Sequence, residues 1–178
     1  PNAMSPADRL CAAFLDWMKT FQVEPYLEDG HRGLIRHLVI RINRAGDSMV
    51  TVAANGCALP HVQELIDRLS PLGTVSLWLN ENRAATNVIF SDRFHLLYGS
   101  ETLTDTLFDL AFELSPASFF QVNHAQTEKL YRTVIDLAAP KPTDTLCDVY
   151  CGVGTITLAL ARYCRETIGI EVVTAAVN

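Results

Sequence analysis

The sequence predicts a two-part α/β chain: a mixed, mostly antiparallel α/β central domain, then the opening βαβ of a Rossmann-like domain. Three observations carry this expectation. An amphipathic helix and a series of short strand-like runs fill the first part of the chain. A glycine turn, Tyr150-Cys151-Gly152-Val153-Gly154, separates the apolar run 143–149 from the helix-forming run 156–163. A second short apolar run, 167–170, then ends on Glu171. Strand, tight turn, helix, strand and terminal acid is the order of half a mononucleotide-binding unit.

Composition bounds the function. The 178 residues carry a formal net charge of −6, with 49% hydrophobic and 19% charged residues. That suits a soluble globular chain and argues against a general polyanion binder, while leaving room for a local basic patch. No run approaches the ~20 apolar residues of a membrane helix, so no membrane partner is expected. No leader peptide is visible. Residues 1–4, Pro1-Asn2-Ala3-Met4, read as a cloning remnant ahead of a start Met. The five cysteines, Cys11, Cys57, Cys147, Cys151 and Cys164, form no zinc pattern, and no metal is expected. Their odd number without a secretory leader points to the reducing cytoplasm.

Taken in order, Ser5-Pro6-Ala7-Asp8 opens a helix: a capping hydroxyl, a proline in the first turn and an acid at the positive end of the dipole. Leu10, Phe14, Trp17, Met18 and Phe21 then recur at helical spacing to about Thr20. The run 34–43 reads as a strand and 49–54 as its hairpin partner. A helix starting at Pro60 carries Val62, Leu65, Ile66 and Leu69 and ends before Pro71. Strands are expected at 74–79, 86–90, 93–98 and 106–113. Asn123 caps a helix with Gln126 as its partner, and Leu130, Val134, Leu137 and Ala138 form the expected buried stripe. Pro140-Lys141-Pro142 stops that helix ahead of the strand leading to the glycine turn. The domains are therefore placed at 5–113 and 114–178.

Three features bear on chemistry. Arg32, Arg36, Arg41 and Arg44 lie with His31 and His37 in a window free of acids. This is either a phosphate-contacting face for RNA or a solvated sheet edge. The segment Leu114-Ser115-Pro116-Ala117-Ser118-Phe119-Phe120-Gln121-Val122-Asn123 puts two aromatics and an amide just before a helix. Phe119 and Phe120 are either core or a wall beside a ligand. The amide of Gln121 matches the edge of a pyrimidine or an amino-acid group. At the glycine turn, Thr157 stands where the dinucleotide fingerprint has its third glycine. A nucleoside cofactor without a pyrophosphate fits better than a dinucleotide, with the ribose on Glu171.

Segments 115–123 and 148–171 together resemble the RNA (uracil-5-)-methyltransferases, and Gly33 to Arg41 is similar to that family's central domain. The resemblance implies S-adenosyl-L-methionine as cofactor and a uridine in tRNA or rRNA as substrate. It implies that Gln121 sits at the junction of cofactor and flipped uracil and that Phe119 lines the uracil pocket. Tyr150 would lie against the cofactor, Gly152 and Gly154 would give it close approach, and Glu171 would hold its ribose.

The resemblance also implies a Cys thiolate that adds to uracil C6 and a Glu that takes the C5 proton. Both are expected beyond Asn178, so no catalytic residue is assigned here, and Cys151 is read as a packing residue. On this reading the chain is a fragment that is inactive alone, binds cofactor weakly, and self-associates through a truncated sheet or has a mobile C-terminal region. The rival readings are an S-adenosylmethionine methyltransferase for another substrate and a non-catalytic RNA-binding module.

Overall fold

A computed structural model describes residues 4–172 of the chain. The expectations for residues 1–3 and 173–178 lie outside the described residues. The chain divides into two compact units, 1–103 and 104–178. This division falls earlier than 113/114, because the strands after Leu103 pack with the second unit.

The first unit is a four-stranded sheet with two helices. Helix α1 (Pro6–Thr20) starts as its sequence dictates. The Ser5 hydroxyl accepts from Asp8 N at 3.1 Å and the Asp8 carboxylate accepts from Ser5 N at 3.2 Å. Strand β1 (Ile35–Ile42) pairs antiparallel with β2 (Ser48–Ala54). Helix α2 (Val62–Leu69) then carries the chain across to β3 (Thr74–Glu81), which lies parallel to β2. Strand β4 (Phe94–Gly99) closes the sheet antiparallel to β3, giving the order β1-β2-β3-β4. Leu10, Phe14 and Trp17 of α1 and Leu65, Ile66 and Leu69 of α2 form one core with Val50, Val52, Ala54, Leu77 and Leu79.

Two strand expectations give way. Residues 86–90 form a loop rather than a strand. The reason is that side chains satisfy carbonyls that a partner strand would otherwise need. Asn82 Nδ2 donates to Val88 O at 2.7 Å and to Ile89 O at 3.0 Å. Arg36 Nη1 donates to Asn82 O and Ala84 O, and its Nη2 to Thr86 O at 2.9 Å. Arg36 also lies over the Tyr26 ring, 4.6 Å from its centroid. Its guanidinium is thus engaged by the loop, where the sequence leaves a choice between an RNA-contacting face and a solvated sheet edge. The cause is a register shift between Ile35 and His37, which sets Arg36 outside the alternation of β1.

The second unit begins with a hairpin where one strand is expected. Strands β5 (Leu103–Leu107) and β6 (Leu110–Leu114) are joined by Phe108 and Asp109, whose φ angles are +50° and +61°. Two consecutive left-handed residues make the tight turn that matches strand twist. Helix α3 (His124–Ala138) is capped by Asn123, whose side chain accepts from Gln126 N at 3.1 Å. Its buried face is Thr127 and Tyr131, not the expected stripe, and Leu130 and Leu137 are exposed. The helix turns its one large aromatic inward, where Tyr131 packs with Leu107, Phe112, Leu114 and Phe120. His124 Nε2 and Asp105 Oδ2 meet at 2.7 Å, tying the start of α3 to β5.

Strand β7 (Thr145–Val149), the short helix α4 (Thr155–Leu160) and strand β8 (Glu166–Ile170) complete the unit. β7 and β8 are parallel, with Asp148 opposite Gly169. Cys147 is exposed rather than buried, because it alternates with Asp148 and shares the exposed face of Val149, Ile168 and Ile170.

The Arg36 network predicts a contrast between neighbouring arginines. Arg36→Ala should lower unfolding stability by about 2–3 kcal/mol, since it removes the side-chain donor to Asn82 O and Thr86 O and one of the two donors to Ala84 O. Arg32→Ala, at an exposed site, should change it by less than about 0.5 kcal/mol. Urea denaturation of the two variants checks this, and equal effects would contradict it.

Candidate functional site

The second unit contains a cavity of about 340 Å³. Its wall combines segment 115–121, the glycine turn and Glu171, with Tyr131 from α3 and Thr155 and Ile156 from α4. Among the expected site residues, Phe119, Gln121, Tyr150, Gly152 and Glu171 all line it. Gly154 lies beside the lining as the N-cap residue of α4, with φ of +77°.

The turn owes its shape to local geometry. Gly152 has φ of +57°, and a Cβ there would meet no atom within 4 Å, so the position faces open space. Tyr150 N and Cys151 N both donate to Ile170 O, at 2.8 and 3.1 Å, folding the turn over the end of β8. Gly152 N then donates to Glu171 Oε2 at 3.0 Å, and Val172 N donates to Oε1 at 2.7 Å. The carboxylate is held at the cavity by two backbone donors. Tyr150 itself has φ of +66°, rare for a side chain of that size, and the residue is 81% exposed.

The two adjacent phenylalanines divide the roles left open by the sequence. Phe120 is buried, with ring contacts to Phe112 at 5.7 Å and His124 at 6.0 Å. Phe119 is 78% exposed at the cavity wall. Segment 115–118 is braced by Ser115, whose hydroxyl meets that of Ser118 at 2.8 Å.

Sequence reasoning assigned no role to Asp148, Tyr131 or Thr155. All three line the cavity. Tyr131 OH and Thr155 Oγ1 are 2.7 Å apart, joining α3 to α4, and Thr157 Oγ1 donates to Asp148 Oδ2 at 2.6 Å. The available signal was the Asp-x-Tyr-x-Gly-x-Gly-Thr run itself, since alternation along β7 turns Asp148 and Cys147 to opposite faces. Cys151 Sγ lies 2.8 Å from where a Cβ on Gly169 would stand, so the thiol packs against β8. Among the described residues no group of three or more His, Cys, Asp or Glu is arranged for a metal. Among them, too, no helix is long and apolar enough to cross a membrane.

In the first unit, Arg32 and Arg44 are exposed, Arg41 is half-buried on β1, and Arg36 is engaged as described.

Comparison with known proteins places these features in a family. Residues 83–178, more than half of the chain, match the model for tRNA (uracil-5-)-methyltransferases. An uncharacterized RNA methyltransferase of Enterococcus faecalis is 42% identical over 166 residues, covering 92% of this chain and 36% of that protein. One from Clostridium tetani is 35% identical over 175 residues, covering 97% and 38%. The chain thus spans little more than a third of the length of these relatives. Among solved structures, the Pyrococcus abyssi tRNA (uracil-54, C5)-methyltransferase in complex with S-adenosyl-L-homocysteine matches with a TM-score of 0.74. The identity is 25%, covering 93% of this chain and 40% of that one. The Rossmann-like methyltransferase fold is shared with that enzyme, and the chain belongs to the tRNA (uracil-5-)-methyltransferase family.

Proposed function

We propose that this chain supplies the cofactor pocket and the base-flanking wall of an enzyme that methylates C5 of uridine in tRNA or rRNA, with S-adenosylmethionine as methyl donor. The observation that carries the reading is the meeting of Phe119 and Gln121 with Tyr150, Gly152 and Glu171 around one cavity. The donor set suits that cofactor. Among the described residues the lining holds two carboxylates, Asp148 and Glu171, and no Lys, Arg or His. Such a wall favours a ligand with positive charge and no phosphate. The similar Pyrococcus abyssi enzyme is in complex with S-adenosyl-L-homocysteine, which supports the same reading.

When bound, S-adenosylmethionine supplies an electrophilic methyl group on a sulfonium sulfur. The chain's own residues bind and orient. Glu171 accepts the ribose hydroxyls, its carboxylate already aimed by Gly152 N and Val172 N. The Tyr150 ring lies against the cofactor. Gln121 holds the uracil edge through its amide, and Phe119 gives apolar surface to a base taken out of its stack. The attacking thiol is none of the five cysteines. Cys151 packs against Gly169, and Cys147 faces away from the cavity. Arg32, Arg41 and Arg44 contact RNA phosphates. Five free thiols accord with a cytoplasmic place of action.

In the full-length protein, methyl transfer to RNA followed by nucleoside analysis should yield 5-methyluridine, and another methylated nucleoside would reject the reading. Gln121→Ala should lower kcat/KM by about 10²-fold or more through lost orientation of the base. Replacing Arg32, Arg41 and Arg44 together by Ala should flatten the dependence of log K on log salt by about 0.7–0.9 for each phosphate no longer neutralised. An unchanged slope would remove these arginines from the interface.

A further inference from the structure

We propose that Arg83 and Arg93 form a clamp for one phosphodiester of the RNA strand, positioned by Glu81. This rests on the RNA-substrate reading above and adds a contact that Arg32, Arg41 and Arg44 do not supply. Glu81 ends β3, and its side chain is only 10% exposed. Its Oε1 meets two guanidinium groups, with Arg83 Nε at 3.0 Å and Arg93 Nη1 at 3.4 Å. Both arginine side chains are more than half exposed.

A nearly buried carboxylate needs one cation as its partner, so the second is surplus. Glu81 holds the inner edge of each guanidinium and leaves the outer edges open. Among the described residues no acceptor meets Arg83 Nη1 or Nη2, or Arg93 Nε or Nη2. His95 Nε2 lies 3.6 Å from the other oxygen, Oε2. Asp92 is exposed and pairs with neither arginine among the described residues. With His95 neutral, the two guanidinium groups and Glu81 carry one net positive charge, which one phosphodiester balances. The planar forks suit its two unbridged oxygens.

The backbone under both arginines is fixed. Glu81 N and Asn80 Nδ2 both donate to Arg93 O, at 3.0 and 3.2 Å, and Arg93 N donates to Ser91 Oγ at 3.1 Å. Next to Arg83, Asn82 N donates to Ala54 O at 2.8 Å, and Arg36 holds the Asn82 carbonyl. Such pre-organisation lowers the ordering cost of binding. The clamp is also separate from Arg41. Arg41 is opposite Met49, Met49 is opposite Ser76, and Glu81 is five residues beyond Ser76 on β3. At about 3.3 Å per residue that is roughly 16 Å along the sheet, so no single phosphate serves both.

The alternative is that the two arginines only neutralise Glu81. Salt dependence separates the roles, read by fluorescence anisotropy of a labelled RNA hairpin with a loop uridine on the full-length protein. Arg83→Gln and Arg93→Gln should each flatten the dependence of log K on log salt by about 0.7–0.9, the contribution of one phosphate. The double variant should flatten it by the same amount, because removing either arginine already takes away the surplus charge. A double variant that loses twice as much would show two separate contacts and overturn the clamp. Unchanged slopes would overturn the phosphate role. If one variant does not fold, the other still decides: loss of one phosphate's contribution supports the role, and no loss overturns it. Wild-type protein that binds no RNA would overturn the RNA reading and this inference with it. A slope lost only when Arg32, Arg41 and Arg44 are replaced would overturn the clamp alone.

Discussion

The second unit depends on one close approach. Gly169 on β8 has no side chain, and Cys151 of the glycine turn occupies that space, its Sγ 2.8 Å from where a Cβ would stand. Only with that space available can Tyr150 N and Cys151 N both reach Ile170 O. The turn then lies over the end of β8, and three consequences follow. Gly152 N comes within reach of Glu171, α4 starts at the correct angle, and Thr157 in its first turn reaches back to Asp148. A methyl group on Gly169 would push the turn outward and open the cavity wall. The site is therefore set by the Cys151 side chain packing over the bare backbone of Gly169 before any residue touches a ligand.

Periodic elements were legible in the sequence because their signals are local. The capping box at Ser5, the stripe of α1 and the strand–turn–helix–strand order at 145–170 all needed only neighbouring residues. What was not legible depends on partners far along the chain. The apolar run at 86–90 resembles a strand, but Asn82 and Arg36 take its carbonyls first. The turn at Phe108 and Asp109 has no glycine, so the two halves of the hairpin read as one strand. On α3, Leu130, Val134, Leu137 and Ala138 suggested one face, and the aromatic cluster around Tyr131 chose another.

The same division runs through the candidate site. Phe119, Gln121, Tyr150, Gly152 and Glu171 were identifiable from motif residues, and folding brings them to one cavity. The bond between Thr157 and Asp148 was not, because that pairing exists only once α4 has turned back over β7. Arg36 shows the converse. Its charge suggested a nucleic-acid face, but charge in a sequence does not reveal whether a guanidinium meets solvent or a ring of carbonyls. A half-buried arginine can organise a loop as firmly as a strand pairing does, and the four-arginine window contains one of this kind.

Tyr150 holds a left-handed backbone, which costs a residue with a Cβ about 1–2 kcal/mol relative to glycine. At 81% exposure it recovers little of that through burial. A thermostability selection carried out on the ligand-free protein would therefore favour glycine at this position and discard the ring assigned to the cofactor. The same selection with ligand present would weigh bound-state energy as well and could retain it. On the proposed role of its ring, Tyr150 is thus a point where gains in heat resistance and loss of occupancy arise from the same atom set, and where stabilising this domain calls for screening in the presence of S-adenosylmethionine.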